Sequence, residues 1–223
     1  LAYSADLSSF ISASPLLAMW GWTGGLNGGE RQLFPGLTVV AVVLAGAWLA
    51  RRANRMFATG STRPSIVATG LAGLAAAVAW SVHRLGPWEF ALGPVRVSAT
   101  DAFKPQSVAL ALLVISAALS PSVRLAWRRR SPLAFYAMAS AFLFLCSLGP
   151  RPELLGTQVL YEPPYRWLMR LPIFASDIRA PARLAMPAIL ALSFASAIAS
   201  VRLGGLRSIG RFTLPLVMCG LLA

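Results

Sequence analysis

Acidic side chains are scarce in this chain, and so are the residues that build metal sites. Seven Asp and Glu stand against twenty Lys and Arg, with one His and two Cys in 223 residues. No His, Asp, Glu or Cys grouping has ligand spacing, so no metal and no cofactor is expected. Cys146 and Cys219 both lie inside apolar runs. Free Cys packs there like a small hydrophobe and says nothing of redox compartment. The Gly-rich stretch from Gly24 to Glu30 lacks the Gly-Lys-Ser/Thr ending of a nucleotide loop and reads as a flexible turn. Charge as a whole is also low: 12% of residues are charged, where a soluble domain has roughly 25%. The net charge of +13 would suggest nucleic acid in a soluble chain. No nucleic-acid motif accompanies it, and most of it falls in loops expected at lipid headgroups, so nucleic acid is not an expected partner.

What the chain has in abundance is apolar sequence, 57% of it, in long runs. Five full spans are predicted, from about Phe34 to Ala50, Ser65 to Val82, Gln106 to Val123, Pro132 to Gly149 and Leu184 to Val201; a sixth begins at Phe212. Each approaches the roughly 20 residues that cross a hydrocarbon core. Lipid cannot satisfy a free backbone group and no ten-residue alternation is present, so helices are expected rather than a barrel. The fold class is therefore all-α: a polytopic transmembrane helix bundle of about six spans, with short interfacial helices in its outer loops. The whole of 1–223 is one transmembrane domain, with an extracytoplasmic segment at 1–33, a bundle over 34–223, and extracytoplasmic loops at 83–105 and 150–183. The chain starts at Leu1 and stops at Ala223 inside an apolar run. It is expected to be an internal piece of a larger protein.

The charges give the orientation. The first, third and fifth gaps between runs hold only basic residues: Arg51, Arg52, Arg55 and Arg63, then Arg124, Arg128, Arg129 and Arg130, then Arg202, Arg207 and Arg211. Every acidic residue lies in an alternate segment: Asp6 and Glu30, then Glu89 and Asp101, then Glu153, Glu162 and Asp177. Lys and Arg are retained on the cytoplasmic side of short loops, so the acid-bearing segments are expected outside. No span carries an ionisable residue in its interior, where transporters and pumps commonly place one. Small residues are dense in the second span, from Ala68 to Ala77, and in the fifth, from Ser193 to Ser200. Both are expected at the centre of the bundle, because small side chains let helix backbones approach.

The outer segments carry the polar chemistry. Trp20 and Trp22 suit an interfacial belt. Residues 90–99 alternate weakly and predict a small hairpin. His83, at a span end, reads as solvated or interfacial rather than as a base. In Tyr161-Glu162-Pro163-Pro164-Tyr165-Arg166-Trp167-Leu168-Met169-Arg170-Leu171-Pro172, Pro164 can open a short helix that Pro172 limits. Arg166 and Arg170 would share one face, with Trp167, Leu168 and Leu171 on an apolar side lying in the interface plane. Asp177, Arg179 and Arg183 follow at the mouth of the bundle, with Pro181 fitting the first turn of the next helix. Arg166, Arg170, Arg179 and Arg183 could bind a phosphate bidentately, and snorkelling to lipid headgroups accounts for them equally. Asp177 is a weak acid or base candidate, and pairing with Arg179 or Arg183 explains it as well.

Three stretches carry a family resemblance: Tyr3-Ser4-Ala5-Asp6-Leu7 with Pro15 and Trp20-Gly21; Glu30-Arg31-Gln32-Leu33-Phe34-Pro35-Gly36; and Leu171-Pro172-Ile173-Phe174 with Arg179-Ala180-Pro181-Ala182-Arg183. In these the chain resembles the C-terminal part of bacterial GT-C-type integral-membrane glycosyltransferases, including YfhO-like proteins. The resemblance implies a multi-pass protein of the bacterial inner membrane. It would move a sugar from a polyprenyl-phosphate donor to a glycan, lipid or protein acceptor on the extracytoplasmic face. The four arginines would hold the lipid phosphate, and a groove beside the second and fifth spans would take the prenyl chain. The catalytic residue is unknown and expected upstream; Asp177, Glu162, Asp101 and Asp6 are the carboxylates on the correct face. Two other readings stand beside this one, a transporter or flippase of lipid-linked glycans and a non-enzymatic membrane assembly protein.

Overall fold

The computed structural model describes residues 5–17, 20–26, 33–55, 62–92, 95–154, 157–161, 163–172 and 181–204. It is mostly helical: α1 (Leu37–Arg55), α2 (Arg63–Leu85), α3 (Phe103–Leu119), α4 (Pro121–Arg128), α5 (Pro132–Ser147), α6 (Pro164–Leu168) and α7 (Ala185–Gly204). Two antiparallel hairpins join them, β1 (Trp88–Leu92) with β2 (Val95–Ala99), and β3 (Glu153–Leu154) with β4 (Thr157–Gln158). The first is the hairpin that the alternation at 90–99 predicts. Proline opens α2, α4, α5 and α6 within their first two positions, where its missing N–H has no intrahelical partner to lose. Gly86 ends α2 at φ +81°, donating its N–H to the Val82 carbonyl.

Among the described residues two helices are long and apolar enough to cross a membrane: Arg63–Leu85, and Pro181–Gly204 when the 3-10 turn at Pro181–Leu184 is counted with α7. A third candidate is α3 with α4, a pair bent by 60°. The apolar pattern predicts a third span running on to Val123, and the structure stops it at Leu119. Ser120 is extended and Pro121 starts a new helix, because a residue before proline is pushed out of the helical region. At 16 residues α5 is about 24 Å long, short of the roughly 30 Å core. The run beginning at Phe212 lies outside the described residues.

Packing divides the helices. α7 sits between α1 and α5, and the buried core is Val42, Val43, Leu133, Leu192, Ala195, Ala199 and Leu203. Along α7 the buried positions Ala188, Ala191, Leu192, Ala195, Ser196, Ala199 and Leu203 form one helical stripe. Contact is close enough that a Cβ on Gly46 would meet the Ala199 Cβ at 2.5 Å. Ser140 Oγ donates to the Ala188 carbonyl at 2.9 Å across α5 and α7. The fifth span is thus central, as expected.

Among the described residues the second span is not: α2 packs chiefly on α3. It turns Ala68, Ala72, Ala79 and Val82 inward, while a Cβ at Gly70 or Gly73 would meet nothing within 4 Å. Its small residues fall on two faces, and only the alanine face has a described neighbour. Ser116 Oγ bridges this pair, 2.7 Å from Thr69 Oγ1 and donating to the Ser65 carbonyl at 2.9 Å.

Candidate functional site

The pairing of Ser65 and Thr69 with Ser116 makes α2 and α3 antiparallel, so the helices have two distinct ends. At 17 residues, α3 separates them by about 25 Å. The four described acidic residues, Asp6, Glu89, Asp101 and Glu153, belong to the end where α3 starts and α5 finishes. Arg51, Arg52, Arg124, Arg128 and Arg202 belong to the other. The charge sorting of the sequence is therefore also a sorting by helix end.

The acid-bearing end is built on the last turn of α5. The Ala5 N–H donates to the Ser147 carbonyl at 3.2 Å, Phe10 meets Phe144 edge-on at 4.9 Å, and Asp6 bridges to Glu153. Asp6 is buried, at 5% exposure, because its Oδ1 caps a 3-10 turn, accepting from the Ser8 N–H at 2.7 Å and the Ser8 hydroxyl at 2.6 Å. That is a structural role for one of the four carboxylates. Asp101 has another, pairing with Lys104 at 3.0 Å. The Gly-rich stretch, whose residues 27–30 lie outside the described ones, begins in a 3-10 turn, Gly21–Leu26. Gly24 is held against the Ala13 carbonyl there, where a Cβ would sit at 2.8 Å. Trp22 and His83 are exposed, whereas Trp20 is partly buried against Phe34, with ring centroids 5.9 Å apart.

Beside this platform lies a cavity of about 850 Å³ lined by Phe103, Pro150, Arg151, Gln158, Tyr161, Arg166, Met169 and Arg170. The one-turn spacing of Arg166 and Arg170 predicts that they act together, and the structure places both on this cavity. α6 supplies the first, and a tightening turn, with the Arg170 N–H on the Trp167 carbonyl at 3.1 Å, brings in the second. Tyr165 anchors that helix. It is fully buried against α5, and burial, followed by the nearby Cys146, pushes its phenol above the usual range. Trp167 and Leu171, the expected apolar side, stay exposed at 56% and 52%.

The opposite wall comes from α3. Phe103 stacks on Tyr161 with ring centroids 6.0 Å apart, and Lys104 sits 5.9 Å over the same tyrosine. Ser107 Oγ accepts from the Tyr161 N–H at 2.7 Å and donates to the Phe103 carbonyl at 2.8 Å. Among the described residues no carboxylate lines the cavity, and all three lining arginines are exposed. Among the described residues, Arg151 and Arg170 have no ion pair.

Sequence reasoning does not find Arg151, although it lies on the same segment and between Pro150 and Pro152, which stiffen its backbone. Pro152 is fully buried, which fixes where Arg151 emerges. The structure does not bring Arg183 into this cavity: it is exposed on the 3-10 turn Pro181–Leu184, whose Pro181 is buried. Asp177, Arg179 and Glu162 lie outside the described residues.

A cavity with three convergent cations, one amide and an aromatic wall suits a planar or tetrahedral anion carrying an organic group. An exposed guanidinium contributes only about 0.2–1 kcal/mol to one ion pair. Convergence of several is what would turn this surface into a site. Comparison with protein-family models, curated proteins and solved structures finds no match.

Proposed function

We propose that this chain is part of a multi-pass membrane glycosyltransferase of the GT-C type, and that its arginine cavity handles a polyprenyl-phosphate sugar donor. One observation carries the reading: Arg151, Arg166 and Arg170 line one cavity that no described carboxylate lines, at the helix end that also holds the described acidic residues. Under this reading α1, α5 and the run from Phe212 complete a bundle of about six spans in the bacterial inner membrane. The cavity then faces away from the cytoplasm, where Lys and Arg are not otherwise favoured.

As the glycosidic bond breaks, the lipid phosphate gains negative charge. Guanidinium groups already in position stabilise that charge without reorganising. Phe103 and Tyr161 offer an apolar wall for the sugar ring or the first prenyl unit. Arg179, outside the described residues, remains in the proposal as a donor from the segment that leads into α7; Arg183, which the structure keeps out of the cavity, does not. The acceptor hydroxyl needs a base within hydrogen-bond reach, and a carboxylate from another segment would supply it.

The test combines binding and turnover in the full-length protein in detergent micelles. Arg166→Ala with Arg170→Ala is expected to lower retention of polyprenyl phosphate in native mass spectrometry about tenfold, and to abolish sugar transfer, with membrane insertion intact. Arg179→Ala is expected to reduce transfer as well. Lipid-phosphate retention indifferent to all three changes would reject the site. Binding without transfer in micelles, which have no second compartment, would favour transport of the lipid-linked glycan over glycosyl transfer.

A further inference from the structure

The end remote from the cavity has its own construction. α4 leaves α3 at 60°, so it crosses the ends of the other helices instead of continuing among them. It touches α1, α3 and α5. Ser122 is buried there and Val123, Leu125 and Ala126 are partly buried, while Arg124, Trp127 and Arg128 point outward. Trp127 is 64% exposed. Arg124 donates from Nη2 to the Leu119 carbonyl at 2.8 Å, which ties it to the last turn of α3. Arg51 and Arg52 arrive from α1, with Arg52 lying 5.5 Å over the Trp48 ring. Arg202 arrives from α7, its Nη2 3.5 Å from the Ser131 Oγ. None of the described acidic residues shares this end.

We propose that this face binds the anionic phospholipid headgroups of one leaflet, with α4 lying in the headgroup plane as an amphipathic strap. Three features select a lipid surface over a soluble polyanion. The outward face of α4 mixes arginine with exposed tryptophan, the pairing that suits a boundary between charge and hydrocarbon. Trp48, Ile66 and Val67, exposed at 58%, 64% and 61%, run from this end down the sides of α1 and α2. A nucleic acid or acidic protein seated on the arginines would leave those flanks in water, whereas a bilayer covers both at once. And the cations come from three separate helices, so a sheet of headgroups matches their spread better than one compact ligand does. Each basic residue near an anionic surface adds attraction that is screened by salt.

The experiment places the full chain in nanodiscs of equal phosphatidylglycerol and phosphatidylcholine and reads the lipids that stay bound after extraction, by native mass spectrometry. Phosphatidylglycerol is expected to be retained on the order of tenfold over phosphatidylcholine, with the preference fading at about 1 M salt. Arg51→Gln, Arg52→Gln, Arg124→Gln and Arg128→Gln combined are expected to remove that preference. Arg84→Gln, in the last turn of α2 at the opposite end and not among the cavity's lining residues, is expected to leave it, which separates this face from the other end of the helices. Equal retention of the two lipids by the unaltered chain, or a preference untouched by salt, overturns the proposal. So does displacement of the lipid by an acidic protein or RNA at equal charge. If the four-arginine variant fails to insert, the headgroup comparison and the salt titration decide on the unaltered chain alone.

Discussion

Helices α1, α5 and α7 and the pair α2–α3 start from the same material, apolar sequence rich in Ala, Gly and Ser, and end in different packing. In the first set the small residues meet other backbones: Gly46 faces Ala199 so closely that no Cβ fits between them. In the second, alanines meet α3 while Gly70 and Gly73 meet no described atom. Among the described residues the two sets touch chiefly at their ends, through α4 at the basic end and through Tyr161 on Phe103 and Ser107 at the other. The candidate cavity sits at that second junction. A small residue is therefore a permission for close approach. Whether the approach happens depends on a partner whose own small residue falls at the same level.

The sharpest way to break the comparison is to remove the anchor on the packed side. Tyr165→Ala is expected to cost about 3–5 kcal/mol, the range for truncating a buried aromatic. Thermal unfolding in detergent would read it. Trp80→Ala, on the 64%-exposed face of α2, is expected to change stability by no more than about 0.5 kcal/mol. Tyr165→Phe keeps the ring and isolates the hydroxyl. The folded phenol titrates above its unfolded value, so its contribution is complete below the unfolded value and is lost as pH rises through the folded one. The Phe variant should lack that alkaline loss. Equal destabilisation by Tyr165→Ala and Trp80→Ala would erase the distinction between the sets.

A subtler pair tests the glycines. Gly46→Leu forces a side chain against the Ala199 backbone and is expected to cost about 1–3 kcal/mol. Gly73→Leu enters open space among the described residues and is expected to be within about 0.5 kcal/mol of neutral. The same unfolding measurement ranks them. A reversed order would mean that α2, and not α7, is the central helix.

Much of this architecture is legible in the residues themselves. Apolar runs and the basic residues that stop them locate every described long helix to within a few residues, because hydrocarbon length and arginine cost act locally. The hairpin at 88–99 and the Pro164 helix are legible for the same reason: alternation and proline act on their own neighbours. The break at Pro121 is hidden by the charges beginning at Arg124, which look like the stop although the proline three residues earlier has already ended the helix. Among the described residues α2 is not central, because small residues specify a face only together with the partner that meets it. Arg151 escapes for a similar reason. Phe103, its neighbour in the cavity lining, lies on α3, a segment that no sequence spacing links to it.

The smallest expected effect concerns the junction itself. Ser107 Oγ holds two bonds at once, accepting from the Tyr161 N–H at 2.7 Å and donating to the Phe103 carbonyl at 2.8 Å. It is the polar link between α3 and the segment bearing the arginines. Ser107→Ala leaves the Tyr161 N–H without that acceptor. Tyr161 is exposed, so water can replace the serine, and the loss of stability is expected to be about 0.5–1 kcal/mol, at the low end for a hydrogen bond. What water cannot replace is position. The Tyr161 ring would no longer be held at its stacking distance from Phe103, and the cavity wall would loosen. A Ser107→Ala variant with near-normal unfolding but measurably weaker retention of a phosphate-bearing lipid would show that the junction shapes the site. Unchanged retention would mean that Arg151, Arg166 and Arg170, held by α6 and Tyr165, make the site without help from α3.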